Sequence, residues 1–171
     1  GQEMVNCEGP IVSAVHGVAA GLGATLALLA DIIYMADDAR IGDTHVKMGL
    51  VAGDGGAAIW PLLIGLHRAK ELLMGGDLVT GLAAAEMGLI NYAVSREELD
   101  SKVTELARRI ADGAGRAIQL TKNVLNLPLR QAAISTMDLG MANEVQSAQS
   151  DDHREAVRSM IEKRDPKFTG R

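Results

Sequence analysis

The sequence predicts an α/β fold whose second half is entirely helical. Three observations lead to this prediction. Short apolar runs alternate with helical patterns up to about residue 112, only helical patterns follow, and aromatic residues make up just 2% of a chain that is 47% hydrophobic. Small aliphatic side chains must therefore fill the core, which suits helices packed closely against a sheet. We expect an α/β core at residues 1–112 and a helical oligomerisation region at 113–171.

The first half is predicted to consist of parallel strands joined by helices. Two strands separated by one helix are typical of a ββα unit. Strands are expected at 11–15, 31–36, 40–42 and 89–94, and helices at 21–30, 53–64, 67–74 and 80–87. The segment ahead of residue 11 is too short, by this interpretation, to hold another element.

The second half is predicted to be a series of helices. A Ser-x-x-Glu capping box at Ser95 to Glu98 indicates the start of a helix that ends near Gly113. Further helices are expected at 114–125, 128–149 and 151–163. The helix at 128–149 carries a wide apolar face formed by Leu129, Ala132, Ala133, Thr136, Met137, Gly140 and Met141. Such a face predicts association with further copies of the chain.

Composition excludes several classes of function. The formal net charge is −5 and the chain has no basic stripe, so nucleic acid is not an expected partner. A single cysteine, Cys7, excludes an internal disulfide framework and indicates a reducing compartment, the cytoplasm. The longest apolar run, 18–29, is too short and too rich in glycine to cross a bilayer. We expect no signal peptide, and the start at Gly1 without Met suggests a processed or truncated chain.

A loop of small residues at 18–24 opens the first predicted long helix. Glycines such as Gly21 and Gly23 let the backbone approach a ligand closely. The first N–H groups of a helix have no partner within the helix and point outwards, where an anion can accept from them. This loop is therefore predicted to hold an oxyanion.

A polar segment behind this loop supplies candidate acid–base groups. His45 and Asp54 lie nine residues apart, and Asp43 lies just ahead of His45. Histidine titrates near neutrality, and a carboxylate on its other ring nitrogen fixes the tautomer. Simpler interpretations remain open: His45 as a polar loop residue, Asp54 as a residue of a helix's first turn, and Asp43 as a turn cap. His16 is expected to be structural, and His67 and His153 to lie on the surface.

Several motifs together resemble one known family. They are VHGVAAGLG at 15–23, ADI at 30–32, GLV at 49–51, GGD at 75–77, AAEMGLI at 84–90 and EKRDPKF at 162–168. This combination is similar to the enoyl-CoA hydratase/isomerase family, also called the crotonase family, over nearly the whole chain. The resemblance implies the latter part of a right-handed spiral of ββα units, followed by helices that form a trimer or a dimer of trimers.

The resemblance also implies a chemistry. Members of the family bind acyl-CoA thioesters and stabilise an enolate with two backbone N–H groups. The second N–H group falls on Leu22, between Gly21 and Gly23, and the first belongs to an upstream loop outside this sequence. No cofactor is implied beyond the coenzyme A of the substrate, and no metal.

The two glutamates of the family's hydratases are replaced in this chain. The resemblance places Thr25 and His45 at their positions, so the usual mechanism with two carboxylates is not expected. The segment from His45 to Asp54, with Trp60-Pro61 beyond it, is similar to the 6-oxocamphor hydrolase branch, which cleaves C–C bonds of cyclic β-diketones. Thr25, Asp43 and Trp60 are expected in the substrate pocket, although Trp60 also fits a packing role.

The C-terminal motif suggests a contact with coenzyme A. Lys163 stands where a family lysine helps to hold the CoA phosphates, and Met160 replaces an aromatic residue near the adenine. Three hypotheses follow for the function. The first is an acyl-CoA enzyme of the hydratase/isomerase type that uses His45 and Asp54. The alternatives are a hydrolase of β-dicarbonyl C–C bonds and a catalytically incomplete assembly subunit.

Overall fold

A computed structural model describes residues 2–171. The elements in chain order are α1 Gln2–Asn6, β1 Val12–Val15, β2 Val18–Ala20, α2 Leu22–Leu28, β3 Ile32–Ala36, β4 Arg40–Gly42, α3 Gly56–Ile64, α4 Leu66–Gly75, β5 Val79–Thr80, α5 Gly81–Glu86, β6 Tyr92–Val94, α6 Leu99–Ala111, α7 Gly115–Leu125, α8 Leu127–Ala148 and α9 Asp151–Glu162. A 3₁₀ turn, His45–Met48, lies between β4 and α3.

The strands form two small sheets. In the first, β3 lies between β1 and β6 and pairs in parallel with both. In the second, β4 pairs in parallel with β2 and antiparallel with β5. Parallel pairing of β1 with β3 across α2 confirms the predicted ββα organisation, because a helix must cross over between parallel neighbours.

The core lies between the sheets and the helices that cover them. Its largest fully buried side chains include Trp60, Met35, Ile41 and Leu89. The helical region is attached to this core by a buried ion pair, in which Lys122 of α7 lies 2.7 Å from Asp31 and donates to the carbonyl of Gly9. The low aromatic content thus gives a core built mainly of aliphatic side chains, as predicted.

The structure corrects several predicted boundaries. A short helix, α1, occupies the segment that was expected to be too short for one. The loop expected at 18–24 contains β2, which has only three residues. The capping box at Ser95 forms a turn instead of a helix start: the Ser95 hydroxyl donates to the Glu98 carboxylate, and α6 begins at Leu99. Three-residue strands and single turns give too short a pattern for sequence periodicity to detect.

The helix predicted at 80–87 is confirmed, with its start at Thr80. The Thr80 hydroxyl accepts from the N–H of Ala83 and caps α5. Pro61 lies inside α3, which continues to Ile64. Within residues 2–171, no helix is both long and apolar enough to cross a membrane.

Candidate active site

The site forms where two parallel strands end side by side. β2 and β4 are paired so that their last residues, Ala20 and Gly42, are partners. The chain leaves both strands at one edge of the sheet, where Gly21 donates its N–H to the carbonyl of Gly42 at 3.0 Å. The pairing of β2 with β4 therefore brings the glycine turn and the polar segment at 43–45 together, although they lie more than twenty residues apart.

The glycine turn leaves a backbone amide free. Gly21 has φ 53° and ψ −122°, a conformation that side chains with a Cβ avoid. Leu22 is the first residue of α2, and its N–H finds no hydrogen-bond acceptor within residues 2–171. The adjacent Gly23 is exposed, and a Cβ there would meet nothing within 4 Å. An amide with open space beside it is placed as an oxyanion donor must be.

His45 is oriented by a buried carboxylate. Asp43 is 1% exposed, and its Oδ1 lies 2.6 Å from His45 Nδ1 and accepts from the backbone N–H of His45 at 3.1 Å. Asp43 therefore both closes the local turn and orients the ring. The sequence left open whether Asp43 caps a turn or orients His45, and in the structure it does both. The hydrogen bond to Asp43 raises the pKa of His45 above its usual 6.5, against the opposing effect of burial.

The second ring nitrogen of His45 faces Asp54. The Nε2 atom lies 3.5 Å from Asp54 Oδ2, and both side chains are largely covered. The other carboxylate oxygen, Oδ1, accepts from the hydroxyl of Thr25 at 3.2 Å. Asp54 lies in the turn ahead of α3, which corrects its expected place in the first turn of the helix. The predicted His45/Asp54 pair is thus brought together, with Thr25 positioning the carboxylate.

Two glycines allow this close packing. A Cβ on Gly21 would lie 3.4 Å from His45 Cε1, so the imidazole ring lies beside the turn that frees the Leu22 amide and leaves no spare room there for a side chain. A Cβ on Gly56 would lie 2.3 Å from Asp43 Oδ2, where no side chain fits. The glycine turn, His45 and its orienting carboxylate therefore form one compact unit.

The sequence analysis missed Glu144 of α8. Its Oε2 atom is buried and has no hydrogen-bond partner in the described chain, and it would lie 2.7 Å from a Cβ on Gly53. The negative charge of Glu144 adds to the effects that raise the pKa of His45. Its spacing from Met137 and Gly140 places it on the same apolar face of the helix, and a lone carboxylate on that face is the one signal that could have found it.

A cavity of about 640 Å³ opens beside Thr25 and Asp54. Its walls come from α1, α2, α3 and α8, and most of the residues that line it are apolar. The prediction that Trp60 lies in the substrate pocket is wrong. Its side chain is 0% exposed and packs in the core, and it does not line this cavity. The face of α8 expected to mediate oligomerisation lies partly against this cavity through Leu129, Ala133 and Met137.

The three polar groups offer atoms that could also ligate a cation. One donor atom each from Asp43, His45 and Asp54 lies within 4.8 Å of the others. Oxygen and imidazole donors suit several divalent metals. The hydrogen bond from His45 to Asp43, however, already satisfies Nδ1 without an ion.

The remaining predicted residues lie outside this cluster. Lys163 ends α9 in a left-handed conformation and Met160 is 61% exposed. His67 is exposed as expected, whereas His153 is half-buried and its Nδ1 lies 2.7 Å from the carbonyl of Met48. The prediction that His153 lies on the surface is therefore wrong. The carbonyl of His16 accepts from the guanidinium of Arg96.

Comparison with known proteins defines the class. The profile of the family described as enoyl-CoA hydratase/isomerase matches residues 2–171, and the chain belongs to this family. The crystal structure of an enoyl-CoA hydratase/isomerase from Mycobacterium paratuberculosis superposes with a TM-score of 0.87 at 37% identity, over 92% of this chain and 63% of that chain. The predicted crotonase-like fold is therefore confirmed.

Curated relatives are similar over almost the whole chain. The 1,2-epoxyphenylacetyl-CoA isomerase of Escherichia coli is 35% identical over 95% of this chain and 62% of its own length. A probable enoyl-CoA hydratase of Rhodobacter capsulatus is 32% identical over 99% of this chain and 66% of its own length. The chain thus spans a little under two thirds of the length of these relatives.

Proposed function

We propose that this chain carries the acid–base part of an acyl-CoA active site of the hydratase/isomerase type. The observation that supports it most is the position of the His45 ring beside the Gly21 turn, combined with the approach of Nε2 to Asp54. Family membership supports the substrate class, because relatives named for acyl-CoA chemistry match nearly the whole chain. The site can therefore act on the carbon next to a thioester carbonyl whose oxygen lies at the Leu22 amide.

Each group has a distinct task in this proposal. The Leu22 N–H donates to the thioester oxygen as it gains negative charge, with a second donor from an upstream loop outside this sequence. His45 accepts or returns a proton through Nε2, while Asp43 holds Nδ1. Asp54, fixed by Thr25, stabilises the imidazolium that forms. One such couple moves one proton at a time, so two glutamates are not required.

The test is turnover of enoyl-CoA thioesters by the protein that contains this chain. His45→Ala should lower turnover by about 10²-fold or more, as expected for loss of a general acid–base group. His67→Ala is the matched control, because His67 is exposed on α4 and should leave turnover unchanged. Circular dichroism checks that both variants fold. Equal turnover by the wild type and the His45 variant would refute the proposed role.

A hydrolase of β-dicarbonyl C–C bonds is the second candidate. The imidazole held between two carboxylates favours it, because such a histidine can activate water for attack on a ketone. Cleavage of a cyclic β-diketone, together with no binding of coenzyme A by calorimetry, would select this function. If neither substrate class is turned over while the protein still associates, the third hypothesis, an incomplete assembly subunit, applies.

We propose that the proton-transfer groups work without a metal, and with no cofactor beyond the coenzyme A of the substrate. The direct hydrogen bond between Asp43 and His45 supports this, since it satisfies Nδ1 without an ion. Turnover should survive dialysis against a chelator. Activity lost on chelation and restored by one divalent cation would assign Asp43, His45 and Asp54 as ligands instead.

Contacts with coenzyme A and with other copies of the chain complete the proposal. Lys163 is a candidate for the CoA phosphates and Met160 for the adenine, by their place in the C-terminal motif. Association as a trimer or a dimer of trimers is supported by apolar side chains left exposed on the helical region. A cytoplasmic location is supported by the free, exposed thiol of Cys7.

A further inference from the structure

The cavity beside Asp54 also contains an arginine that the reaction does not need. Arg130 of α8 lines the same 640 Å³ space as Thr25 and Asp54. α8 contacts the active-site turn through Gly140, which packs against Gly53, ten residues beyond Arg130. Ten helical residues correspond to about 15 Å along the helix axis. Arg130 is therefore well separated from the reacting groups, with apolar walls between them.

The guanidinium of Arg130 is held in place but incompletely paired. Its Nη1 atom donates to the backbone carbonyl of Asn123 at 3.2 Å and to the Asn123 side-chain oxygen at 2.8 Å. Its Nε atom is buried and has no hydrogen-bond partner within the part of the chain that the structure describes. Buried donors in folded proteins are normally paired, and a guanidinium keeps its charge at any physiological pH. A partly buried cation with an unused donor in a cavity is a site for an anionic oxygen.

The carboxylates near this cavity do not fill that role. Asp54 is engaged by Thr25 and faces His45. Asp138 lines the cavity but is exposed, and it lies eight residues along α8 from Arg130. No ion pair joins either carboxylate to Arg130 among residues 2–171. Nη1 is engaged by Asn123, whereas Nε and Nη2 of Arg130 have no hydrogen-bond partner among residues 2–171 and are thus left for a ligand.

We infer that this cavity takes an acyl group that ends in a carboxylate, with Arg130 binding that carboxylate while the thioester end reacts at His45. This inference rests on the proposed acyl-CoA function and specifies its substrate class. A planar guanidinium pairs with a carboxylate through two parallel hydrogen bonds, which gives both affinity and orientation. The apolar walls suit the methylene chain between the two ends of such a substrate.

The experiment compares two matched series of enoyl-CoA thioesters over a range of chain lengths, one ending in a methyl group and the other in a carboxylate. The wild type should favour the carboxylate series in kcat/KM at the length that reaches Arg130. Arg130→Met should lower kcat/KM for that substrate by about 10- to 100-fold, the usual effect of losing a charge-assisted hydrogen bond. The same variant should leave the methyl-terminated substrates unchanged or improve them.

Controls separate binding from a structural role. Arg116→Met removes an exposed arginine of α7 and should change neither series. Asn123→Ala keeps the charge of Arg130 but removes the side-chain oxygen that accepts its hydrogen bond. This variant should reduce the preference for the carboxylate series less than Arg130→Met does. A substrate ending in a carboxamide tests whether charge is required. Melting temperatures verify that each variant folds.

The outcomes distinguish this inference from the proposed function. No turnover of either series by the wild type would overturn the proposed function. Turnover without preference for a terminal carboxylate would overturn the role of Arg130 alone. An equal loss on both series in the Arg130 variant would assign Arg130 to packing and would also overturn the inference.

Discussion

At the scale of single residues, Asp43 organises the site. One of its oxygens contacts both the ring and the backbone of His45, and the other, Oδ2, is buried without a partner in the described chain. Burying a carboxylate is costly unless an opposite charge or hydrogen bonds compensate. An imidazolium at His45 supplies that charge, so the protonation state of His45 links the chemistry of the site to the stability of the fold.

Stability should therefore depend on pH through His45. The pKa of His45 is raised above 6.5 in the folded state, so the folded chain binds this proton more tightly than the unfolded chain. The stabilisation is fully present below the unfolded pKa and is lost as pH rises through the folded value. The melting temperature of the wild type minus that of His45→Gln should fall across this range. A difference that stays constant with pH would contradict the assignment.

Gly56 should be intolerant of a methyl group. Gly56→Ala places a Cβ 2.3 Å from Asp43 Oδ2 and should cost about 1–3 kcal/mol through overpacking, with loss of activity as His45 shifts. Gly115→Ala is a matched control, because Gly115 also begins a helix and a Cβ there meets nothing within 4 Å. That control should gain about 0.4–1 kcal/mol, because alanine lowers the conformational entropy of the unfolded chain. Chemical denaturation measures both, and equal effects would refute the packing argument.

At the scale of elements, the contact between α8 and the turn ahead of α3 joins the helical region to the site. Gly53 and Gly140 pack backbone to backbone, and the carboxylate of Glu144 lies against the same glycine. Ser147 strengthens the contact, because its hydroxyl accepts from the N–H of Val51. One helix thus contributes to the cavity wall and lies against the segment that carries Asp54.

Substitutions at this contact should be graded in effect. A Cβ on Gly53 would lie 2.4 Å from the carbonyl oxygen of Gly140, whereas a Cβ on Gly140 would lie 3.1 Å from the carbonyl oxygen of Gly53. Gly53→Ala should destabilise the fold by about 1–3 kcal/mol and speed hydrogen exchange in α8. Gly140→Ala should do less, because alanine also favours the helix. The reverse order would show that this packing does not hold α8 in place.

At the scale of the whole molecule, the helical region has more apolar surface than the core covers. The predicted oligomerisation face of α8 is half-buried except at Met141, and apolar residues outside it are more exposed, among them Leu139 at 66% and Ile161 at 77%. Large exposed apolar patches on folded proteins mark sites of association. Exposed apolar residues outside the predicted face are therefore further candidates for contacts between copies.

Association should depend on these exposed apolar residues. Light scattering of the protein that contains this chain should give the mass of a trimer or of a dimer of trimers. Leu139→Glu combined with Ile161→Glu should weaken association, because a charge buried in an interface without a partner is unfavourable. Met74→Glu, at a residue 73% exposed near the end of α4, is the control. A wild-type monomer at working concentration would contradict the proposal.

A feature of the fold or the site could be predicted when its signal lies within a few neighbouring residues of the sequence. Patterns within one element act over a few residues and could be recognised in the sequence. Examples are the apolar run of β3 and the helix start at Thr80. The pairing of His45 with Asp54 was also predicted, since both lie in one short segment that resembles a family motif. The hydrogen bond of Thr25 to Asp54 and the position of Glu144 were not predicted, because each depends on contact with a residue far away in sequence.

Sequence patterns alone predicted most of the strands and helices, the freedom of the glycine turn, and His45 with Asp54 as candidate acid–base groups, but they missed α1, β2 and β5. Tertiary structure alone decided that β2, only three residues long, pairs with β4 and sets that turn against His45. It also decided that Trp60 lies in the core and that Arg130 shares a cavity with Asp54. The physical reason is that secondary-structure propensity depends on residues that are neighbours in the sequence. Close packing depends on which segments, distant in the sequence, come into contact in the folded chain.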